Sequence, residues 1–231
     1  LFEVLPPEPP DPEDPVQRWP QRGWAALPEP SPGDLFFDME GDPYALDDEH
    51  GSGLEYLFGV VELDPSGIPY YRCFWAHDRV EEKEAFEDFV DYVMKRRAEF
   101  PDLHVYHYAP YEPSAVKRLM GQHHTRESEV DELLRAEVFV DLYAVVRSSV
   151  RIGSESYSLK QVEKLYMKRP EGEVMDAGGS IVEYERYLED RDQTRLDAIE
   201  RYNQDDCEST LGLRDWLEAR RLDAEAQFGA I

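Results

Sequence analysis

Leu35-Phe36-Phe37-Asp38-Met39-Glu40, followed by Gly41-Asp42-Pro43, is the stretch on which the fold turns. Along an extended strand, alternation sends Leu35, Phe37 and Met39 to one face and Phe36, Asp38 and Glu40 to the other. Gly41-Asp42-Pro43 is expected to end the strand. Two carboxylates therefore share a face in an otherwise apolar segment. Two readings fit: an edge strand with a solvated face, or a divalent-metal site, because hard cations prefer clustered carboxylate oxygens. Like charges this close repel unless a cation or a proton neutralises them.

Working outward, Glu55–Leu63 and Tyr70–Trp75 read as two more strands joined by Asp64-Pro65-Ser66-Gly67, a hairpin turn. Three sequential strands with short links imply an antiparallel meander. Phe86, Phe89, Val90, Val93 and Met94 recur at helical spacing, with Asp78 and Glu81 as a capping box. A strand over Leu103–Tyr108 leads into a helix entered through Pro113. Val138–Leu142 is a further strand. The remainder is mainly helical and ends in a long helix from about Thr194 to Arg221. The order βββ-α-β-α-β-α predicts an α/β domain in three layers, a mixed sheet of five to six strands flanked by helices.

Upstream, ten of the 17 prolines fall in residues 1–33, mixed with acids. Such a segment keeps neither a helical nor a ladder hydrogen-bond pattern, and 1–33 is expected to be a proline-rich acidic linker. Residues 34–223 then form the domain and 224–231 a short tail. The chain begins Leu-Phe-Glu rather than with Met, so a piece of a longer polypeptide is expected.

The 231 residues carry 51 acidic and 25 basic side chains, giving 25 − 51 = −26. This charge repels phosphate at long range and argues against a basic-patch nucleic-acid binder. Most of the excess acids, Glu81–Glu84 and Asp47–Glu49 among them, are expected on solvated faces. Hydrophobic residues at 41% argue against wholesale disorder. No apolar run approaches the ~18 residues of a membrane span, and no basic stretch precedes an apolar one as in a secretory signal. Cys73 and Cys207, far apart and without neighbouring His, make neither a zinc site nor a disulfide framework, so a reducing, cytoplasmic setting is expected. His104 and His107, i,i+3 on a strand, would face opposite sides and read as packing or surface residues.

The last helix carries a second anomaly. Its inward stripe of Ile199, Tyr202, Asp206, Leu213 and Leu217 is interrupted by the charge of Asp206. Tyr202 lies one turn before it on the same face. A routine Tyr–Asp hydrogen bond, or an Asp at a solvated edge, explains the pair equally. Glu112, at the mouth of the helix after Leu103–Tyr108, is a third candidate, or simply an acid favoured by the helix dipole. Asp141, closing Phe139-Val140-Asp141, would brace the same cleft or cap a helix.

Taken together, Phe37-Asp38-Met39-Glu40, Tyr108-Ala109-Pro110-Tyr111-Glu112-Pro113 and Tyr202-Asn203-Gln204-Asp205-Asp206 resemble the DEDD exonuclease superfamily in its tyrosine-bearing subclass. More narrowly, residues 33–43, 106–119, 157–166 and 201–210 resemble the ribonuclease H-like domain of bacterial RecB-family nucleases, large proteins that often carry a superfamily 1 helicase. The likeness spans about residues 33–220, with order and spacing agreeing along with residue type. It implies that Asp38, Glu40, Glu112 and Asp206 hold two Mg²⁺ or Mn²⁺ ions and that Tyr202 orients the attacking water. It implies a metal-dependent 3′–5′ exonuclease acting on the 3′ end of single-stranded DNA or RNA, with nuclease and helicase domains as neighbours in the same chain. Lys160, in Ser158-Leu159-Lys160-Gln161, and Arg118 are candidate phosphate contacts or ordinary surface charges. Two positions depart from the family pattern: Glu112 stands where Asp is usual, and Tyr108 where Asn is usual. A scaffolding or interaction module that keeps the fold is the competing reading, and an acidic cation-binding domain a third.

Overall fold

The computed structural model describes residues 1–7, 22–47, 51–168 and 177–229. A short strand β1 (Phe2–Val4) opens the chain. The meander follows as β2 (Leu35–Asp47), β3 (Gly51–Leu63) and β4 (Pro69–Trp75), antiparallel throughout. The turn between β3 and β4 is closed by the Asp64 carboxylate, which accepts from the Ser66 and Ile68 amides at 2.8 and 2.9 Å. β5 (Val105–His107) and β6 (Phe139–Asp141) lie beyond β2 and run parallel to it. The sheet order is β4-β3-β2-β5-β6, a mixed five-stranded sheet with β2 at its centre.

Helices cover both faces. On one side lie α1 (Arg79–Glu99), α2 (Tyr111–His123) and α3 (Glu127–Arg135). Leu35, Phe37 and Met39 pack there against Phe86, Phe89 and Val90 of α1, with Phe37 and Phe89 stacked at 4.3 Å between ring centroids. On the other side lie α4 (Leu142–Ser149), α5 (Leu159–Val162), α6 (Ala177–Asp190) and the 36-residue α7 (Gln193–Phe228). Phe36 and Tyr106 meet Leu211 and Leu217 of α7 in that layer. The alternation along β2 has therefore put Asp38 and Glu40 on the α7 side. At the start of α1, Asp78 accepts from the Val80 and Glu81 amides at 2.8 and 2.9 Å. The return bond from Glu81 lands on the His77 amide at 2.7 Å, one residue before the cap.

Several expectations are corrected. β2 does not end at Gly41 but runs to Asp47, with register irregularities at Glu40/Gly41 and between Asp42 and Leu46. Pro43 lies inside the second irregularity, where the ladder does not need its missing N–H. Gly41 is required for close approach rather than for termination, since a Cβ there would lie 2.1 Å from Glu55 Oε2. Glu82, expected on a solvated face, is fully buried, and its carboxylate takes the Glu55 amide at 2.7 Å and pairs with Arg79 and His123 at 2.9 and 2.8 Å.

The ends of the chain also differ from a linker and a tail. β1 pairs antiparallel with β7 (Val150–Ile152), and Trp24 and Leu27 are buried with their indole N–H on the Leu5 carbonyl in the case of Trp24, at 3.0 Å. Proline content is a poor guide here, because Phe2–Val4 and Gly23–Ala26 carry no proline and dock on elements distant in sequence. Residues 8–21, the centre of the expected linker, and 48–50, which include two of the three acids of the expected solvated face at 47–49, lie outside the described residues. At the other end α7 continues to Phe228, with Ala224 fully buried.

Candidate active site

Asp38 sits in the middle of β2, directly opposite Gly59 of β3. The missing side chain at Gly59 makes room for α7 to reach the sheet: a Cβ would lie 1.6 Å from Asn203 Oδ1 and 2.8 Å from the Tyr71 hydroxyl. Asn203 is fully buried and uses both ends of its amide. Its Nδ2 donates to Asp38 Oδ2 at 2.8 Å, and its Oδ1 accepts from Tyr71 at 2.8 Å. Asn203 is the main residue that the sequence reading missed. The signal was present, because 199, 203, 206, 210, 213 and 217 continue one helical stripe.

Replacing Gly59 by Ala is expected to destabilise the fold by about 1–3 kcal/mol through overpacking. Asn203 would also be pushed off Asp38. Urea denaturation checks this, and an alanine variant as stable as its parent contradicts the packing described.

Glu40, Glu112 and Asp206 are 6%, 4% and 7% exposed, an unusual degree of burial for carboxylates. Glu40 is tied to Ser180 and Asn203, and Ser180 in turn is 2.6 Å from the Tyr56 hydroxyl. Glu112 is aimed by a strained turn. Ala109 has φ +73°, a left-handed conformation that costs a non-glycine residue about 1–2 kcal/mol. Its amide donates to Asp141 Oδ1 at 2.9 Å, and its carbonyl lies 2.7 Å from His107 Nδ1. Asp141 also caps α4 through the Tyr143 amide at 2.9 Å, so it joins the two roles left open for it: helix cap and brace of the turn before Glu112. His104 goes elsewhere, to Asp34 at 3.1 Å.

On α7 the half-buried Tyr202 hydrogen-bonds Asp206 one turn away. Lys160, from α5, contacts Asp206 Oδ1 directly, and its Nζ lies 4.6 Å from the centre of the Tyr202 ring. Arg118 stands apart from this cluster. It is exposed and paired with Glu55, whose carboxylate also accepts from Tyr111 at 2.9 Å.

Burial is the first cause that raises Asp38 well above the usual aspartate range, followed by the charges of Glu40, Asp206 and Glu112, with Lys160 opposing. Burial likewise pushes Glu40 up to about 8, against the hydrogen bonds from Ser180 and Asn203. Glu112 is raised by burial and held back by His107. Tyr202 is raised by burial and then by Asp206, Glu40 and Asp38, so it remains a neutral hydroxyl at physiological pH. Three segments distant in sequence thus bring their carboxylates into one electrostatic cluster.

A raised folded-state pKa gives a definite sign. The stability linked to Glu40 is fully present below its ordinary value of 4.5 and is lost as pH rises through about 8. Over that window Glu40→Gln is expected to gain on its parent by on the order of a few kcal/mol in the absence of divalent cations. Thermal denaturation of the pair at pH 5 and pH 8 tests this. A constant difference between the two pH values contradicts it.

A family model of the RNase H superfamily matches residues 35–218, from the first residue of β2 to the last quarter of α7. The chain belongs to the ribonuclease H superfamily. No curated protein and no solved structure matches it. As a ribonuclease H-like chain it has a fold suited to nuclease-type chemistry on nucleic acid, and nucleases of this superfamily typically use divalent metals. No helix among the described residues is long and apolar enough to cross a membrane. Among the described residues no three His, Cys, Asp or Glu side chains are gathered closely enough to hold a metal ion as they stand. The donor chemistry nevertheless fits one. The cluster offers hard carboxylate oxygens, its like charges are only partly compensated, and Glu112 Oε2 is buried without a hydrogen-bond partner among the described residues, 3.5 Å from His107 Nδ1.

Proposed function

We propose that this ribonuclease H-like chain is a metal-dependent 3′–5′ exonuclease domain that hydrolyses phosphodiester bonds of single-stranded DNA or RNA. It would act within a larger protein carrying nuclease and helicase domains, with residues 34–223 as the catalytic unit. The observation that carries the reading is the convergence of Glu40, Glu112 and Asp206, from three separate segments, on Asp38 at the centre of β2. The likeness of those segments to the DEDD motifs supports it.

Asp38, Glu40, Glu112 and Asp206 would hold a pair of Mg²⁺ or Mn²⁺ ions, which supply an activated water and charge neutralisation at the leaving oxygen. Asn203 fixes the rotamer of Asp38 from one side. Tyr202, neutral and beside Asp206, would orient the nucleophile rather than deprotonate it. Lys160, beside Asp206 and the Tyr202 ring, would meet a substrate phosphate. Arg118 is the weaker candidate, because Glu55 already engages it. The net charge of −26 leaves little long-range attraction for a polyanion, so neighbouring basic domains would supply most of the affinity.

The test is incubation of the chain with 5′-labelled single strands of DNA and RNA and Mn²⁺. A ladder of products shortened from the 3′ end is expected, and chelation should stop it. A catalytically weak scaffolding module is the second reading, favoured by Glu112 in place of the shorter Asp. Intact strands after incubation alongside preserved Mn²⁺ binding would select it.

A further inference from the structure

Lys160 holds an unusual place in this cluster. Four acidic groups converge, and the ammonium of Lys160 contacts one of them, Asp206, directly. The pair is largely withdrawn from water, with the two side chains 28% and 10% exposed. The same ammonium rests over the Tyr202 ring at 4.6 Å, a cation–π contact. Its charge reaches further than its contact, since it also opposes the upward shifts of Asp38 and Glu40. Lys160 therefore compensates three of the four carboxylates at once. The ammonium can shift without moving its element, since a lysine is a compact charge on a flexible four-carbon stem while Val162 holds α5 in the core.

We propose that Lys160 is a tethered competitor of the divalent cation: it neutralises Asp206 in the metal-free chain and is displaced from it when the metal binds. This rests on the reading of Asp206 as a metal ligand. The ammonium and a divalent cation would draw on the same carboxylate and repel each other there, so a metal bound at Asp206 would disfavour the Lys160 contact. The exchange keeps Asp206 from standing as an uncompensated buried charge in either state. Once displaced, Lys160 is left beside the cleft as a free cation for a substrate phosphate. The site would then be set against binding the metal weakly or at random, because every binding event must first break an ion pair and a ring contact.

The test measures Mn²⁺ binding calorimetrically with the full chain and Lys160→Met. Removal of the competitor is expected to tighten Mn²⁺ binding roughly tenfold, the scale of one partly screened ion pair. It should also lower the melting temperature of the metal-free chain but not that of the Mn²⁺-saturated chain. A lysine that merely ties α5 to α7 would lower both by the same amount and leave Mn²⁺ affinity unchanged; either result overturns the proposal, as does weaker binding. Should the variant fail to fold, the wild-type chain gives a second readout. Amine-reactive labelling of Lys160, followed by peptide mass spectrometry, should accelerate severalfold on adding Mn²⁺, and an unchanged or slower rate overturns the proposal. If wild type binds no Mn²⁺ at all, the reading of the site as a metal centre fails, and displacement by metal falls with it.

Discussion

Asp38→Asn is expected to abolish metal-dependent strand shortening, by on the order of 10³-fold or more. Asp38 is the carboxylate on which Glu40, Glu112 and Asp206 all act, and its position at the centre of β2 is fixed by the Gly59 pairing and the Asn203 amide. Asparagine keeps an oxygen for Asn203 but removes the negative charge. Because Asp38 is raised by burial and by its acidic neighbours, the same change should leave the metal-free chain as stable as its parent or more so at pH 8. Lost activity with undiminished melting temperature separates this outcome from misfolding. Asp206→Asn should lose activity similarly but also release Lys160, and so should not share the gain in stability. Full activity in Asp38→Asn would remove Asp38 from the reaction.

The second large effect is on the clamp between α7 and the start of the strand that carries Asp38. Arg214 of α7 bonds Asp34 at 2.8 Å just before β2, with 6% and 3% of the two side chains exposed. Asp34 also takes the Ser31 and His104 amides at 2.8 and 2.9 Å. The guanidinium lies 4.9 Å from the Phe36 ring and 5.3 Å from that of Tyr106, themselves stacked at 5.4 Å. Arg214→Ala strips a buried aspartate of its counter-charge and leaves a void between two rings. The expected cost is about 3–5 kcal/mol, a large part of the stability of an ordinary domain. Equilibrium urea unfolding reads it directly. Replacing both partners, as Asp34→Asn with Arg214→Met, should recover much of the loss, since no uncompensated charge then remains. A cost below about 1 kcal/mol for Arg214→Ala would show that the pair does not hold α7 to the sheet.

What could be read from the sequence was what depends on local period. The two-residue alternation of Leu35–Glu40 already separates an apolar face from an acidic one, and the structure distributes those side chains to opposite layers accordingly. The one-turn offset of Tyr202 from Asp206 survives for the same reason. Readings that depended on distant partners failed. Gly41-Asp42-Pro43 carries every local sign of a strand end, yet β3 extends alongside and draws β2 on to Asp47 through two irregularities. The prolines before Gly33 hid Trp24, whose burial depends on α4 and neighbouring elements more than a hundred residues later. Asn203 passed unnoticed because an amide inside a stripe is informative only when its partners, Asp38 and Tyr71, are known. Glu82 was misplaced similarly: its period on α1 is ambiguous, and only His123, Arg79 and the Glu55 amide explain how a carboxylate can be fully buried there.

The central claim, that Asp38 and Asp206 form one metal-dependent nuclease centre, is tested most directly by anomalous diffraction from crystals grown with Mn²⁺. Two Mn²⁺ ions roughly 3.5–4 Å apart are predicted between β2 and α7, ligated by Asp38, Glu40, Glu112 and Asp206. Crystals without Mn²⁺ at these carboxylates, with Lys160 still on Asp206 at saturating Mn²⁺, would contradict it.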